Sequence, residues 1–383
     1  MGDFLYERET SIQMTTGPLV SIIMVNYNGR HDLEQSLPSL YAQSYTDFEV
    51  IVVDNGSSDD SISFLRTYYP GIQVIPTGKN LGFGAGNNVG IAVSKGDLVV
   101  FTNYDVVFDS EWLQKLVDAA QSDSTVGIVQ PRIMLYGAIP PVETYLVFNY
   151  LGHVFSKSIE WEPLNARAAC DIEVATGCCF LIKKSVLQRI GSFDENFHRF
   201  STRFFYSSLE DNDLSWRTQL AGYRIVYEPE SVIHHKYKQK PLAPLRYYYL
   251  ECGRMYTMLK NYDWKTLLII FPAVVVSEIM GLGYLLIKGP EFIREKIRAM
   301  AWLFTSIGQI KLARRNVLIL RRTSDATILS RFRADTEIRH VNWLPSIRRS
   351  VETPINIFFR GWKLITLSLL KSLGNHSKSA GSS

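Results

Sequence analysis

The chain has 383 residues, 46% hydrophobic and 20% charged, a globular composition that excludes global disorder; no strict glycine period appears, which excludes collagen. Its 41 basic and 37 acidic residues leave a net charge of +4, too small to imply a nucleic-acid partner. The four cysteines include no C-x-x-C pair, which argues against a zinc ribbon or a thioredoxin-like motif and fits a reducing compartment.

Residues 1–17 are polar and are expected to form a flexible N-terminus, with neither the basic nor the apolar region of a signal peptide. Residues 19–25 are an apolar run ending in Asn26-Tyr27-Asn28-Gly29, which predicts a buried strand and a turn. Leu33, Leu37, Leu40 and Tyr41 have helical spacing and predict a helix over 32–43. Residues 48–53 form the next strand, ending in Asp54-Asn55-Gly56-Ser57-Ser58-Asp59. A helix around 62–69 and a short strand at 72–75 follow. The glycine-rich stretch 80–90 leads into a helix, and the strand 98–101 ends at Thr102-Asn103-Tyr104-Asp105. Strands alternating with helices imply βαβ units and a parallel sheet, with ligands beyond the carboxyl ends of the strands.

Another αβ element is expected over 126–136, whereas 137–170, with Pro140-Pro141, reads as irregular. Residues 172–182 read as a strand interrupted at Thr176-Gly177-Cys178-Cys179, followed by a helix at 185–190 and a loop at 191–208. Glu210, Asp211 and Asp213 open a helix, where acids suit the helix dipole. A strand at 223–227 precedes His234-His235.

The last third differs. Residues 267–287 carry one ionisable group, Glu278, and are long enough to span a bilayer. Glu278 would cost roughly 2.5–3.5 kcal/mol at the centre of such a span. Residues 288–349 hold 14 Lys or Arg against 5 Asp or Glu, a net +9 that leaves the rest of the chain at 4 − 9 = −5. A basic face beside an apolar segment suits an anionic leaflet. Basic residues flank 267–287 on both sides, so a re-entrant or surface-lying helix pair with both ends cytoplasmic is expected rather than a single span. Core helices of a soluble fold are the plainer alternative. Residues 355–373 add a second apolar stretch, and 374–383 read as a disordered tail.

The chemistry-bearing side chains fall at these strand and helix ends. Asp105 with a histidine of the His234-His235 pair could hold a divalent cation against a diphosphate. Glu210 or Asp211 could serve as a base toward a hydroxyl, and Asp54 could accept a hydrogen bond from a nucleobase.

The ordered series Val25-Asn26-Tyr27-Asn28-Gly29, Val52-Val53-Asp54-Asn55-Gly56-Ser57-Ser58-Asp59, Asn80-Leu81-Gly82-Phe83-Gly84, Asn103-Tyr104-Asp105, Thr176-Gly177-Cys178-Cys179 and Glu210-Asp211-Asn212-Asp213-Leu214 resembles the family 2 glycosyltransferases, in their rhamnosyltransferase-like branch. The resemblance is strong over about 18–240. It implies a GT-A fold, a Rossmann-like α/β domain with a mostly parallel central sheet over 18–245. A helical membrane-associated region over 246–373 would follow. It also implies an inverting transfer of a sugar from a nucleotide donor, dTDP-rhamnose or a UDP-sugar, to a glycan or polyprenyl-linked acceptor at the inner face of the cytoplasmic membrane, in polysaccharide assembly.

By position, the resemblance makes Tyr27, Asn28, Asp54, Asn80, Gly82, Asn87 and Asn103 donor-binding residues. Thr176 and Gly177 would border the sugar and acceptor. Asp105 and His234 would bind Mg²⁺ or Mn²⁺, with His235 as the alternative ligand, and Asp211 with Glu210 would be catalytic. Asn103 and Tyr104 stand where the family's acidic metal motif has an acid and a proline. That departure keeps a second reading open, an inactive membrane scaffold with the same fold.

Overall fold

The computed structural model describes residues 17–160, 167–199, 209–237, 242–336 and 345–379. Most of the N-terminal segment and residues 380–383 of the tail therefore lie outside the described residues.

Four strands, β1 (Val20–Asn26), β2 (Phe48–Asp54), β3 (Gln73–Pro76) and β4 (Leu98–Asn103), form the parallel half of the central sheet in the order β3-β2-β1-β4. β1, β2 and β4 are nearly continuous apolar runs because both faces are covered. On β1, Val20, Ile22 and Met24 point to one core and Ile23 and Val25 to the other. The first core is closed by α1 (Arg30–Tyr41) and α2 (Ser61–Tyr68). α3 (Phe83–Val93) covers the second. Gly90 lets α3 lie directly on β1, since a Cβ there would run into the Ile23 side chain.

The short β5 (Val106–Phe108) and α4 (Trp112–Gln121) lead to β6 (Val126–Leu135). The stretch 137–170, read from the sequence as irregular, holds a hairpin of β7 (Val142–Phe148) and β8 (Val154–Glu160). β8 alternates exposed and half-buried residues with no apolar run, whereas β7 carries the apolar Tyr145-Leu146-Val147-Phe148. The single strand expected over 172–182 is instead β9 (Cys170–Asp171) and β10 (Cys179–Lys183), with 172–178 lying between the two strands. β10 runs antiparallel between β4 and β6, so its first residue lies at the same sheet edge as the ends of β1, β2 and β4. α5 (Lys184–Ile190) and α6 (Glu210–Leu220) pack on the second core, and β11 (Arg224–His235) pairs parallel with β6 and antiparallel with β5.

Helices α7 (Pro244–Asn261), α8 (Trp264–Lys288), α9 (Pro290–Thr305), α10 (Ile307–Leu320), α11 (Asp325–Arg331) and α12 (Pro345–Ser379) make up the remainder. α12 runs into the stretch read as a tail. These helices do not form a separate body. Trp216 of α6, Phe148 of β7, Tyr262 and Phe332 share one aromatic core. α8 is the only described helix long and apolar enough to cross a membrane, and it packs against α9 and α12. Its Glu278 meets Arg254 of α7 and Lys296 of α9, and both cations also bind Glu251. The carboxylate that would burden a lone span is thus neutralised on the protein side. The opposite face, Leu268, Phe271, Val275, Ile279, Leu282 and Leu286, is exposed at helical spacing.

Candidate active site

The site gathers at the sheet edge where β1, β2 and β4 end. Asn26 closes β1 and donates to the Asp54 carboxylate at 2.9 Å, and the Ser57 amide donates to its other oxygen at 2.9 Å. Asp54 is therefore fully buried and shapes the turn after β2. Asn28 adopts φ 52° and accepts from the Ser58 amide at 2.7 Å, drawing the turns after β1 and β2 together. Tyr27 is half-buried beside it.

Asn80 accepts from the Gly82 amide at 2.8 Å and from Asn55 at 3.1 Å, and Asn55 also accepts from the Leu81 amide. Gly82 has φ 83°, a conformation that favours glycine, and sets the start of α3. Asn87 is buried and donates to the Phe83 carbonyl at 3.0 Å. Asn55 is the residue that sequence reasoning missed here. It read as a turn former, yet its buried amide stitches the loops after β2 and β3.

Asn103 ends β4, and its amide donates to the Cys178 carbonyl at 2.8 Å. Two residues on, Asp105 Oδ1 is buried and makes no hydrogen bond. The nearest cation is His235 Nε2, at 3.4 Å. His234 instead places Nε2 3.1 Å from Asp109. The reason is strand parity: successive residues of β11 face opposite sides, so only one histidine can meet Asp105. The structure thus brings His235, the alternative, to Asp105 in place of His234. Burial raises the Asp105 pKa, but His235 and then Lys236 outweigh it and hold the carboxyl below its ordinary range. Burial lowers the His235 pKa, but the Cys178 sulfur and the Asp105 carboxylate outweigh it and hold the imidazole above its ordinary range. Tyr104 is pushed up to about 12 by burial and by Asp105, Asp32 and Asp59.

Among the described residues no three acidic, histidine or cysteine side chains form a self-sufficient metal cage. An orphaned carboxylate oxygen beside an imidazole is a partial set of hard donors. Magnesium-type ions are commonly held by one or two protein groups with substrate phosphates completing the shell. The residues present fit such an ion.

The acid cluster at the start of α6 divides by role. Asp211 accepts from the Gly177 amide at 2.8 Å and from the Asn212 amide at 2.9 Å. Gly177 must be glycine for this approach, because a Cβ would stand 2.8 Å from Asp211 Oδ2. Thr176, beside it, donates its amide to buried Gln130 at 2.6 Å. Glu210 is buried beside Gly84. Asp213 turns away and is tied to Arg217 at 2.9 Å, Lys260 at 2.7 Å and Asn261 at 3.0 Å. Segment 176–178 therefore bridges the strand end bearing Asn103 to the helix start bearing Asp211. Gln130, Lys260 and Asn261 escaped sequence reasoning because their partners are remote in the chain.

These side chains gather beyond the carboxyl ends of parallel strands, where open α/β sheets bind ligands. Residues 21–191 match the model of glycosyl transferase family 2, so the chain carries a family 2 glycosyltransferase domain and is a glycosyltransferase. It is 27% identical over 242 residues to the N-acetylglucosaminyl-diphospho-decaprenol L-rhamnosyltransferase of Mycobacterium tuberculosis, covering 57% of this chain and 76% of that one. It is 29% identical over 220 residues to the low-salt glycan biosynthesis hexosyltransferase Agl10 of Haloferax volcanii, covering 54% and 67%. Among solved structures, S. aureus TarS 1–349 has a TM-score of 0.52 at 14% identity over 94% of this chain and 91% of that one. GalNAc-T7 with UDP, GalNAc and Mn²⁺ has a TM-score of 0.53 at 14% identity, covering 65% of this chain and about half, 49%, of that one. At such identity these likenesses speak for the fold alone.

Proposed function

We propose that the enzyme transfers a sugar with inversion from a nucleotide donor to a saccharide carried on a polyprenyl diphosphate. The observation that carries this reading is the Asp211 carboxylate, held by two backbone amides at the same sheet edge as Asp54 and Asp105. Asp211 takes the proton of the acceptor hydroxyl as that oxygen bonds to the anomeric carbon and the bond from this carbon to the donor phosphate breaks. The nucleoside diphosphate leaves with the electron pair. A divalent cation, when bound, neutralises charge on that leaving group. Asp105 and His235 would hold it. Tyr27, Asn28 and Asp54 would border the nucleoside, the loop of Asn80, Gly82 and Asn87 would close on the donor, and Thr176 and Gly177 would border the acceptor.

The named relative acting on a decaprenyl diphosphate supports the acceptor class and makes rhamnose the first donor sugar to try. The exposed apolar stripe of α8, with Leu364, Ile365, Leu369 and Leu373 exposed on α12, supports a membrane-lying tail and a catalytic domain on the cytoplasmic side. The +9 charge of residues 288–349 supports the same. The test is nucleoside diphosphate release from dTDP-, UDP- and GDP-sugars by detergent-purified protein, with and without Mg²⁺ or Mn²⁺ and a polyprenyl-diphosphate saccharide. Release from one donor that needs both metal and acceptor is expected. Metal-independent release, or a rate indifferent to the lipid acceptor, would overturn the reading.

A further inference from the structure

Beside Thr176 a narrow, partly enclosed cleft runs between β6, β7, β11 and the loop before β10. Its lining includes Tyr145, Arg167, Glu173, Thr176, Tyr227 and Arg333. Arg167 lies between two aromatic faces, 4.6 Å from the Tyr145 ring centre and 4.8 Å from that of Tyr227. Its nearest carboxylate oxygen, Glu143 Oε1, is 3.7 Å away, outside hydrogen-bond reach, and is already taken by the Tyr227 hydroxyl at 2.9 Å. The other Glu143 oxygen is buried and unpartnered, with Arg132 at 4.0 Å. Arg333 stands on the opposite rim, 3.8 Å from Glu173. Its backbone is pinned to the β7–β8 turn by bonds to the Phe148 carbonyl at 2.8 Å and the Tyr150 amide at 3.0 Å.

Neither the Arg167 nor the Arg333 guanidinium donates a hydrogen bond to a described residue. By contrast, Arg217 makes four hydrogen bonds and Arg224 is bidentate on Asp171. Planar donor forks fixed by stacking and by a pinned backbone, yet left without acceptors, suit a phosphate or diphosphate. Glu173 and Thr176 are three residues apart, at most about 11 Å of extended chain. An anion beside Glu173 would therefore sit within roughly 11 Å of Thr176, whose neighbour Gly177 donates its amide to Asp211.

We propose that this cleft is the acceptor subsite and that Arg167 and Arg333 grip the phosphates linking the acceptor sugar to its carrier. The sugar then lies against Tyr145 and Tyr227, with its hydroxyl toward Thr176 and Asp211. The inference deepens the acceptor reading given above and rests on it. It adds Arg333, which lies outside the residues matched by the family model. Arg333 also leads toward α12, so the carrier chain would leave the cleft along exposed apolar side chains.

The test uses the full chain in detergent, with its donor site filled by saturating nucleoside diphosphate and Mn²⁺. Three probes are titrated: N-acetylglucosaminyl diphosphate bearing a short prenyl chain, inorganic diphosphate, and methyl N-acetylglucosaminide. Arg167→Ala and Arg333→Ala should each weaken the first two at least tenfold and leave the uncharged glycoside unchanged. Arg167→Lys and Arg333→Lys should restore part of the affinity. Equal affinities for the diphosphates in wild type and variants would overturn the proposal, as would an equal loss for the glycoside. Should turnover prove to use an acceptor without phosphate, the acceptor reading fails. The diphosphate titration then still decides whether the cleft is an anion site.

Discussion

The closest test of how the base is held is Gly177→Ala. The added Cβ would stand 2.8 Å from Asp211 Oδ2 and 3.3 Å from its Cβ and Cγ. Ordinary contact begins near 3.4 Å, so the carboxylate must retreat by 3.4 − 2.8, or 0.6 Å. The atom that gives way is the end of a flexible side chain, so the fold should survive with its thermal midpoint nearly unchanged. The retreating atom is also the one that must reach the acceptor hydroxyl. A misplacement near 1 Å can cost about 10²-fold in rate, so a loss of roughly tenfold to hundredfold in kcat is expected. The KM for the donor should not move, because no donor-loop residue is touched. Initial-rate kinetics on wild type and variant, with melting curves on the same samples, decide it. A variant with the same melting temperature and undiminished kcat would refute the positioning of Asp211 by Gly177.

Three further outcomes follow from the geometry. His235→Ala should weaken Mn²⁺ binding in the presence of nucleoside diphosphate at least tenfold, whereas His234→Ala should change it less than threefold; titration of both variants checks it. Lys260→Met leaves Asp194 without its cation and Asp213 with Arg217 alone, a loss of about 3–5 kcal/mol measurable by denaturant unfolding. The same change should alter acid stability. Burial raises the Asp194 pKa, but Lys260 and Tyr256 outweigh it and hold the carboxyl below its ordinary range. Its stabilising contribution is therefore present above the unfolded value of about 3.9 and is lost as pH falls toward the folded one. Lys260→Met should move the acid-unfolding midpoint upward; an unmoved midpoint would show that the pair is idle. Leu282→Asp with Leu286→Asp should leave soluble turnover intact and abolish co-sedimentation with phosphatidylglycerol vesicles.

Much of the fold could be read from the sequence because the parallel strands are apolar runs that stop at polar turns. β1, β2 and β4 announce themselves, and their ends carry Asn28, Asp54 and Asp105. What escaped has a common physical cause. β8 of the hairpin is half exposed and carries no apolar run, so nothing local pairs it with β7. The choice between His234 and His235 depends on the phase of β11 against β5, which is a pairing register rather than a local pattern. The Glu210–Asp213 cluster reads as one group of helix-starting acids. Only the approach of Lys260, 47 positions after Asp213, separates the structural acid from Asp211. Arg167 and Arg333 are 166 positions apart and line one cleft because Arg333 is pinned to a hairpin turn. Glu278 looked like a cost to a membrane span, and its two cations come from neighbouring helices.

The most direct measurement is the transfer rate of Asp211→Asn at saturating donor, acceptor and Mn²⁺, with donor affinity measured on the same preparation. Asparagine keeps the size of the side chain and removes the base. Retained donor affinity with a rate at least 10²-fold below wild type is the expected result. A rate within a few fold of wild type would contradict the assignment of Asp211 as the base and, with it, the proposed mechanism.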